Sequence, residues 1–285
     1  MIRRIITLIC WASVLTAGAQ TLTHRYVELA DSADLYMKQA NWEDAERVII
    51  SALRHEPANK SNWLLWSNLG VVRTHRENYD GAMEAYSVGL SSAPKSTVLL
   101  SNRAWTELTF GHTDEGLKDI DSTLALDSLQ AWPLKMRGLL NMARPERARR
   151  DLLRSDSLKP GDPAVLAALG DLDAARDDVK GAIEHYKQSL KLRADESVAF
   201  KFLLIMTENG DEIQARDWTV GALAKWPECA NLHLLRSLQH QRSYQTDAAL
   251  KEKNLAIAYG VEPLLVDAVL NLKRDKKSSK LINNH

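Results

Sequence analysis

Two histidines and a group of aspartates are the residues of this sequence whose type and spacing could bind a metal ion. His233 and His240 are seven residues apart on an expected helix, which is too far for one shared ion without further ligands. The aspartates are Asp171, Asp173, Asp177 and Asp178. Their segment lacks the central glycine and the closing glutamate of an EF-hand loop, so we interpret them as a solvated acidic face of a helix and its following turn. We expect no metal site.

Short motifs of nucleotide-binding or hydrolytic sites do not occur in the sequence. It lacks G-x-x-x-x-G-K-S/T, H-E-x-x-H, C-x-x-C and G-x-S-x-G. Acidic pairs are common because 26% of the residues are charged, so no pair stands out as a catalytic dyad. Cys229 follows Pro227 at an expected turn between helices, and we interpret it as an incidental small residue; the alternative is a reactive thiol. We expect no catalytic residue, no cofactor and no enzyme activity.

The composition favours a helical protein with a large core. Hydrophobic residues make up 45% of the 285 residues, which is enough to bury a substantial apolar core. Glycine and proline are sparse and runs of β-branched residues are short, and this pattern favours an all-α chain. Basic and acidic residues are equal at 37 each, so the basic excess typical of a nucleic-acid partner is missing.

The first nineteen residues have the three-part layout of a secretory signal peptide. Arg3 and Arg4 precede an apolar run at residues 5–15, and small residues at 17 and 19 form a cleavage pattern. A membrane anchor is the alternative, but the run is short for a bilayer span. Cleavage after residue 19 leaves 35 basic and 37 acidic residues, a net charge of −2, and one cysteine. We expect export to the periplasm, with secretion or attachment to the envelope as alternatives, and no stable membrane span after cleavage.

Four columns of similar residues recur at a spacing of about 34 residues. One column is small: Ala45, Ala82, Gly116, Ala148, Ala182 and Ala215. A second small column precedes it: Ala33, Gly70, Ala104, Gly138 and Gly170, with Leu203 as the exception. A bulky column follows: Ile49, Tyr86, Ile120, Leu152, Tyr186 and the weaker Thr219. The last column marks the ends of units: Pro57, Pro94, Ser128, Pro160, Ala194 and Pro227.

This pattern resembles the tetratricopeptide repeat family, in its exported bacterial form, whose unit is a helix–turn–helix of about 34 residues. The clearest unit is WSNLGVVRTHRENYDGAMEAYSVGLSSAP at residues 66–94. The resemblance implies an all-α fold, an α-solenoid of stacked helix pairs that forms a right-handed superhelix. The small columns let the two helices of a pair approach closely, and the prolines end the helices at the boundaries between pairs.

The signal-peptide pattern, the repeat resemblance and the pattern of the C-terminal residues together divide the chain as follows. The signal peptide is 1–19 and the solenoid is 20–261, with a capping helix at 262–272 and a disordered basic tail at 273–285. The repeats are 26–59, 63–96, 97–130, 131–162, 163–195, 196–229 and a degenerate 230–261. The register of the seventh repeat is open, because Lys253 does not fit the bulky column. An apolar stripe should cover the last repeat; its residues are Leu264, Leu265, Ala268, Val269 and Leu272.

The stretch WLLWSNLG at residues 63–70 matches the W-x-x-L-G part of the family motif through Trp66, Leu69 and Gly70, while Arg73 replaces the usual tyrosine. The resemblance implies that Trp66 packs against the second helix of its unit. We expect Trp63 to contact the second helix of the preceding unit, because two helical turns separate it from Gly70.

Stacked first helices of such repeats line a concave groove, and we expect a partner to bind there. By helical spacing the groove carries eight candidate residues: Asn68, Val71, His75, Asn102, Trp105, Trp132, Met136 and Leu139. Trp105 and Trp132 could face a ligand or pack between helices, and the sequence does not decide between the two. Asn68 is the residue that we would substitute first. Some family members bind a C-terminal carboxylate, but the basic residues for such a clamp are missing here.

Together these features predict an exported, non-enzymatic scaffold or adaptor that binds a peptide or protein of unknown identity in the groove. The alternative is a structural subunit of a cell-envelope assembly, which would dock through its convex face or its terminal repeats. An unrecognised hydrolase is the least favoured reading. The scaffold fold alone names no partner, because repeats of this kind present many unrelated surfaces.

Overall fold

The structure is a computed structural model that describes residues 23–209 and 212–271. Every regular element in these ranges is a helix. In the first part of the chain the helices are α1 His24–Lys38, α2 Trp42–His55, α3 Asn62–His75, α4 Tyr79–Ser92, α5 Thr97–Thr109 and α6 Thr113–Leu126. Those that follow are α7 Ala131–Leu140, α8 Pro145–Leu158, α9 Pro163–Ala175, α10 Val179–Leu192, α11 Glu196–Glu208, α12 Glu212–Lys225, α13 Ala230–Arg242, α14 Thr246–Ala258 and α15 Pro263–Asn271.

Two compact units divide the chain at Ser128, with α1–α6 in the first unit and α7–α15 in the second. Inside each unit consecutive helices pack as antiparallel pairs, such as α3 with α4 and α9 with α10. The first helix of one pair also contacts the first helix of the next, as α3 contacts α5 and α11 contacts α13. The prediction of an all-α solenoid is therefore confirmed. The signal peptide and the basic tail lie outside the described residues, and the repeat boundaries stay predictions.

Local sequence explains where many of the helices begin. Asn41, Asn78 and Asp178 are N-cap residues whose side chains accept a hydrogen bond from a backbone N–H of the first turn. In the same turns the residue before the N-cap has a positive φ; these residues are Ala40, Glu77 and Asp177. A single left-handed residue ends the first helix and redirects the chain into the second.

The small columns allow the two helices of a pair to touch. A Cβ atom added at Gly70 would lie 2.4 Å from the ring of Tyr86, and one at Gly170 would lie 2.7 Å from the ring of Tyr186. Both tyrosine rings are buried against the backbone of the first helix. The glycines are therefore required by the close approach of a large side chain, and the helices tolerate their poor helix propensity for that reason.

Trp66 and Trp63 of the WLLWSNLG stretch both pack within the first unit. Trp66 packs against the core around Leu69 and Ala85, as expected. Trp63 packs instead against Tyr86 and Leu99, which belong to α4 and α5. We predicted contact with the preceding pair, and this was wrong. Two helical turns place Trp63 on the same face of α3 as Gly70, and that face meets Tyr86 of α4.

The end of the second unit also differs from the predicted stripe. Val266 and Val269 of α15 are buried against α13 and α14 and form the contact. Leu264 is 82% exposed and Ala268 is exposed, so neither belongs to the buried stripe. The predicted stripe was therefore right for Leu265 and Val269, which pack there, and wrong for Leu264 and Ala268, whose place is taken by Val266. Leu272 lies outside the described residues.

We predict that Gly70→Ala destabilises the protein by about 1–3 kcal/mol, although alanine is the better helix former, because the added methyl group collides with the Tyr86 ring. The measurement is the free energy of unfolding in urea. The control is a double-mutant cycle with Tyr86→Leu, in which the smaller side chain should remove most of the penalty. An equal penalty in both backgrounds would contradict the proposed contact.

Candidate functional site

Five of the predicted groove residues lie on α3 and α5 in the first unit. Asn68, Asn102 and Trp105 are half-buried and His75 is exposed. Val71 is instead buried, with 3% of its surface exposed. It cannot contribute to the surface, because α5 covers that side of α3. We call the four accessible residues, Asn68, His75, Asn102 and Trp105, the α3–α5 face.

Hydrogen bonds show how α5 covers Val71. Asn102 Nδ2 donates to Ser67 Oγ at 3.0 Å, one turn before Val71. Thr74 Oγ1 and Thr106 Oγ1 are 2.7 Å apart, one turn after it. The two contacts fix the register of α5 on α3, and Val71 lies between them.

Three aromatic rings from α2, α3 and α5 pack together along one edge of the α3–α5 face. The rings of Trp42 and His75 are parallel within 3° and their centroids are 3.9 Å apart. Trp105 lies on the other side of His75 at 5.3 Å, with an angle of 44° between the rings. Partial burial lowers the pKa of His75, so its imidazole is neutral near pH 7 and can either donate or accept a hydrogen bond. Sequence reasoning missed Trp42, which is the first residue of α2.

Below the face, a buried polar network holds three helices together. Tyr86 OH and Thr106 Oγ1 are 3.1 Å apart, and Thr74 Oγ1 also donates to the Gly70 carbonyl at 2.8 Å. Burial raises the pKa of Tyr86, so the phenol stays protonated. These bonds link α3, α4 and α5, and a surface supported in this way is preorganised.

Asn68 contrasts with this network. Its side-chain amide has no hydrogen-bond partner among the described residues, although it is half-buried. Asn102 is the equivalent residue of the next repeat, since it lies two residues before Ala104 as Asn68 lies two residues before Gly70. Its amide nitrogen donates a hydrogen bond to Ser67. Asn68 therefore offers one donor group and one acceptor group to a ligand without breaking a bond of the free protein.

The remaining candidates, Trp132, Met136 and Leu139, lie on α7 in the second unit, and all three are half-buried. Leu139 packs against a core cluster that includes Ala148, so it contributes to the fold as well. Their part in partner binding stays a prediction. The same holds for the four residues of the α3–α5 face.

A line of ion pairs connects successive helix pairs and explains Arg73. Arg73 Nε donates to Glu46 Oε1 of the preceding pair at 2.9 Å, and its Nη1 donates to the Gly81 carbonyl at 2.8 Å. The tyrosine of the family motif is replaced here by a cation with an acidic partner. In the second unit the equivalent positions carry Asp173 and Arg149, which also form an ion pair.

Among the described residues, Glu107 is at the equivalent position of the next pair and has no ion-pair partner. It is only 7% exposed, and its Oε2 atom has no hydrogen-bond partner. Burial, and then the nearby Asp119 carboxylate, raise the pKa of Glu107 to about 7. Arg103 is close, but it donates two hydrogen bonds to Asp119, at 2.6 and 2.8 Å. Glu46, Met83 and Arg149 are equivalent, because each follows the small residue of a second helix. Met83 belongs to the pair that precedes Glu107, so a methionine stands where Glu107 could have a charged partner.

The structure also places the metal-ligand candidates. His233 Nδ1 lies 2.6 Å from Glu252, and Asp173 accepts hydrogen bonds from Arg149 and His185. Asp173 is 1% exposed, so it is a buried ion-pair residue and the predicted solvated face was wrong for it. Within the described residues no three histidine, cysteine or acidic side chains form a group that could hold a metal ion.

Cys229 is buried and begins the turn into α13. Burial, and then a hydrogen bond to Glu196, raise the pKa of its thiol to about 12. The thiolate is therefore scarce at neutral pH, which argues against the reactive-thiol alternative.

None of the helices in the described ranges is long and apolar enough to cross a membrane.

Residues 31–97 match the sequence model of the tetratricopeptide repeat family. A tetratricopeptide repeat protein from Parabacteroides merdae has a similar structure, with a TM-score of 0.57 and 20% identity, over 90% of this chain and 99% of that one. The comparison with curated proteins found no match.

Two further structures are similar. YrrB, described as a tetratricopeptide repeat protein with an unusual peptide-binding site, has a TM-score of 0.57 and 16% identity over 66% of this chain and 98% of its own. PilW, described as a type IV pilus biogenesis factor, has a TM-score of 0.59 and 18% identity over 75% of this chain and 99% of its own. At these identities the likeness shows the fold alone.

The raised pKa of Glu107 predicts that the free energy of unfolding depends on pH. An acid whose folded pKa lies above its unfolded value of 4.5 favours folding only while it is protonated, so its contribution is lost as the pH rises from about 4.5 to about 7. Glu107→Gln should stabilise the protein at pH 8 by roughly 3 kcal/mol and have little effect at pH 4. The measurement is the free energy of unfolding of both proteins across this range. Equal differences at both pH values would contradict the raised pKa.

A second variant tests the cause of that penalty. Met83→Arg should stabilise the wild type at pH 8 by about 1–2 kcal/mol, because it supplies the cation that Glu46 and Asp173 possess in their pairs. The gain should vanish in the Glu107→Gln background. Met83→Leu, which changes shape but adds no charge, is the matched control.

Proposed function

We propose that this chain, which matches the tetratricopeptide repeat family at residues 31–97 and shares its fold, is a non-enzymatic scaffold. We further propose that it binds an extended segment of a partner protein on its α3–α5 face. The fold itself favours a role in protein–protein interaction. The observation that carries the proposal is the free amide of Asn68, which lies two helical turns before His75 on α3, whose ring contacts that of Trp105.

The chemistry of the face suits an extended peptide. A peptide in that conformation has unpaired backbone N–H and C=O groups, and one asparagine side chain can accept from the first and donate to the second. Asn68 and Asn102 place this side chain at equivalent positions of two successive repeats. The face therefore offers the whole amide of Asn68 and, one repeat further along the first helices, the amide oxygen of Asn102, whose nitrogen already donates to Ser67.

The aromatic edge supplies the apolar part of such a site. Trp42, His75 and Trp105 form a continuous wall of rings, and tryptophan is enriched where proteins bind one another. A neutral His75 lets an apolar side chain of the partner approach without the cost of burying a charge. Trp105 thus both packs on His75 and remains half-accessible, so it can serve the fold and the ligand together.

The first test uses peptides selected on the wild-type protein from a displayed library of random extended sequences. Asn68→Ala should weaken their binding about tenfold or more. Its free energy of unfolding should change by less than about 0.5 kcal/mol, because no internal bond is lost. Asn254→Ala, an exposed amide on α14, is the matched control.

Two further variants divide the site. Trp105→Ala should also weaken binding, and its stability must be measured alongside because it removes the contact with His75. Trp132→Ala reports whether the second unit contributes. If Asn68→Ala and Trp105→Ala both retain wild-type affinity for every selected peptide, the α3–α5 face is not the site.

Export is part of the same proposal, because a scaffold of the cell envelope must leave the cytoplasm. It rests on the signal-peptide pattern at residues 1–19, and we propose the periplasm as the destination. Intact-mass analysis of the protein purified from its own host should give a mature N-terminus at Gln20. A chain that retains residues 1–19 would contradict cleavage.

A further inference from the structure

Gly221 differs from the other helical glycines that the structure describes. At seven of them an added Cβ atom would meet a neighbouring atom at 2.4–2.9 Å; they are Gly70, Gly81, Gly89, Gly116, Gly138, Gly170 and Gly181. At Gly221, in α12, such an atom would meet nothing within 4 Å. Glycine is an unfavourable residue inside a helix, and no contact within the chain requires it here. A close approach from outside the chain would require it.

The surface around Gly221 is apolar. Ile213 is 79% exposed, Val220 is 51% exposed and Trp218 is 39% exposed. Ile213, Val220 and Gly221 lie on the outer side of α12, opposite the buried Ala215 and Thr219. Trp218 borders this surface, with its ring fixed against Phe202 at 5.3 Å. We call these four residues, Ile213, Trp218, Val220 and Gly221, the α12 face.

Helix α10, the second helix of the preceding pair, shows what an ordinary outer surface looks like in the second unit. Its exposed outer residues include Lys180, Glu184, Lys187 and Lys191. The apolar character of α12 is therefore a local departure, and an apolar surface bordered by charge is typical of a binding surface.

The charges on α12 indicate what covers it. Asp217 lies four residues before Gly221 and Lys225 lies four residues after it, and both are exposed. Asp217 has no ion-pair partner in the described residues, and Lys225 contacts only the ring of Trp226, at 5.1 Å. Arg216 pairs with Glu212 within α12, so the unpaired charges of the helix are acidic before the glycine and basic after it. Such an order is complementary to its own antiparallel copy.

We propose that the α12 face is the interface of a homodimer, in which α12 of two copies crosses antiparallel at Gly221. In this arrangement Asp217 of each copy lies beside Lys225 of the other, so two ion pairs form around the twofold axis. Gly221 lets the backbones approach, and Ile213 and Val220 become buried. A parallel copy would place like charges together, and an unrelated partner would have no reason to match this self-complementary order.

The test is the oligomeric state of the full-length protein, by sedimentation and light scattering from micromolar to millimolar concentration. The wild type should associate to a mass of two chains. Gly221→Leu should raise the melting temperature of the dilute monomer, because leucine is a better helix former and meets no neighbour. The same variant should weaken the dimer by about tenfold or more, because it blocks the crossing. Ser122→Leu, at the equivalent position of α6, is the matched control and should leave the association unchanged.

Charge exchange tests the antiparallel geometry independently. Asp217→Lys and Lys225→Asp should each weaken association, and a mixture of the two variants should restore it as a heterodimer. The double variant should also dimerise. A wild type that stays monomeric at millimolar concentration overturns the proposal. So does a dimer that Gly221→Leu and both charge variants leave unchanged, because that dimer uses another surface.

Discussion

The close approach of two helices at Gly70 and Tyr86 is the contact on which the rest of the first unit depends. The absence of a side chain at Gly70 lets the tyrosine ring lie on the backbone of α3. The ring is then fully buried, so its hydroxyl group requires a partner inside the protein. That partner is Thr106 of α5, which belongs to the next pair. A contact within one pair therefore also determines how the following pair must pack.

This coupling determines the candidate site. Because Tyr86 and Thr74 both reach Thr106, α5 is held on α3 in one register, and that register brings Trp105 onto His75. The surface residues thus inherit their positions from buried hydrogen bonds that no ligand touches. In the same way, a single helix pair cannot present the α3–α5 face, since the face consists of residues from two pairs.

The sequence predicts the contacts that recur within every helix pair. It misses the contacts that depend on how one pair packs against the next. The columns correctly predicted the buried residues of each pair, including Ala45 and Tyr86. They did not predict the burial of Val71 or the stack of Trp42 on His75, because both depend on how the neighbouring pair lies across α3. The left-handed turn residues Ala40 and Glu77 gave no signal either, since neither is a glycine.

Departures from the columns carry a different kind of information. In the sixth repeat Leu203 replaces the small residue and Thr219 replaces the bulky one, and both are buried, so the two positions have exchanged size and the pair still packs. Gly221 departs without such compensation. Equivalent positions elsewhere carry Ser51, Val88, Ser122, Arg154 and Gln188, all exposed. Contacts within the chain explain the glycines of the columns, such as Gly70 and Gly170. No contact of the described residues explains Gly221, and the proposed dimer rests on that difference.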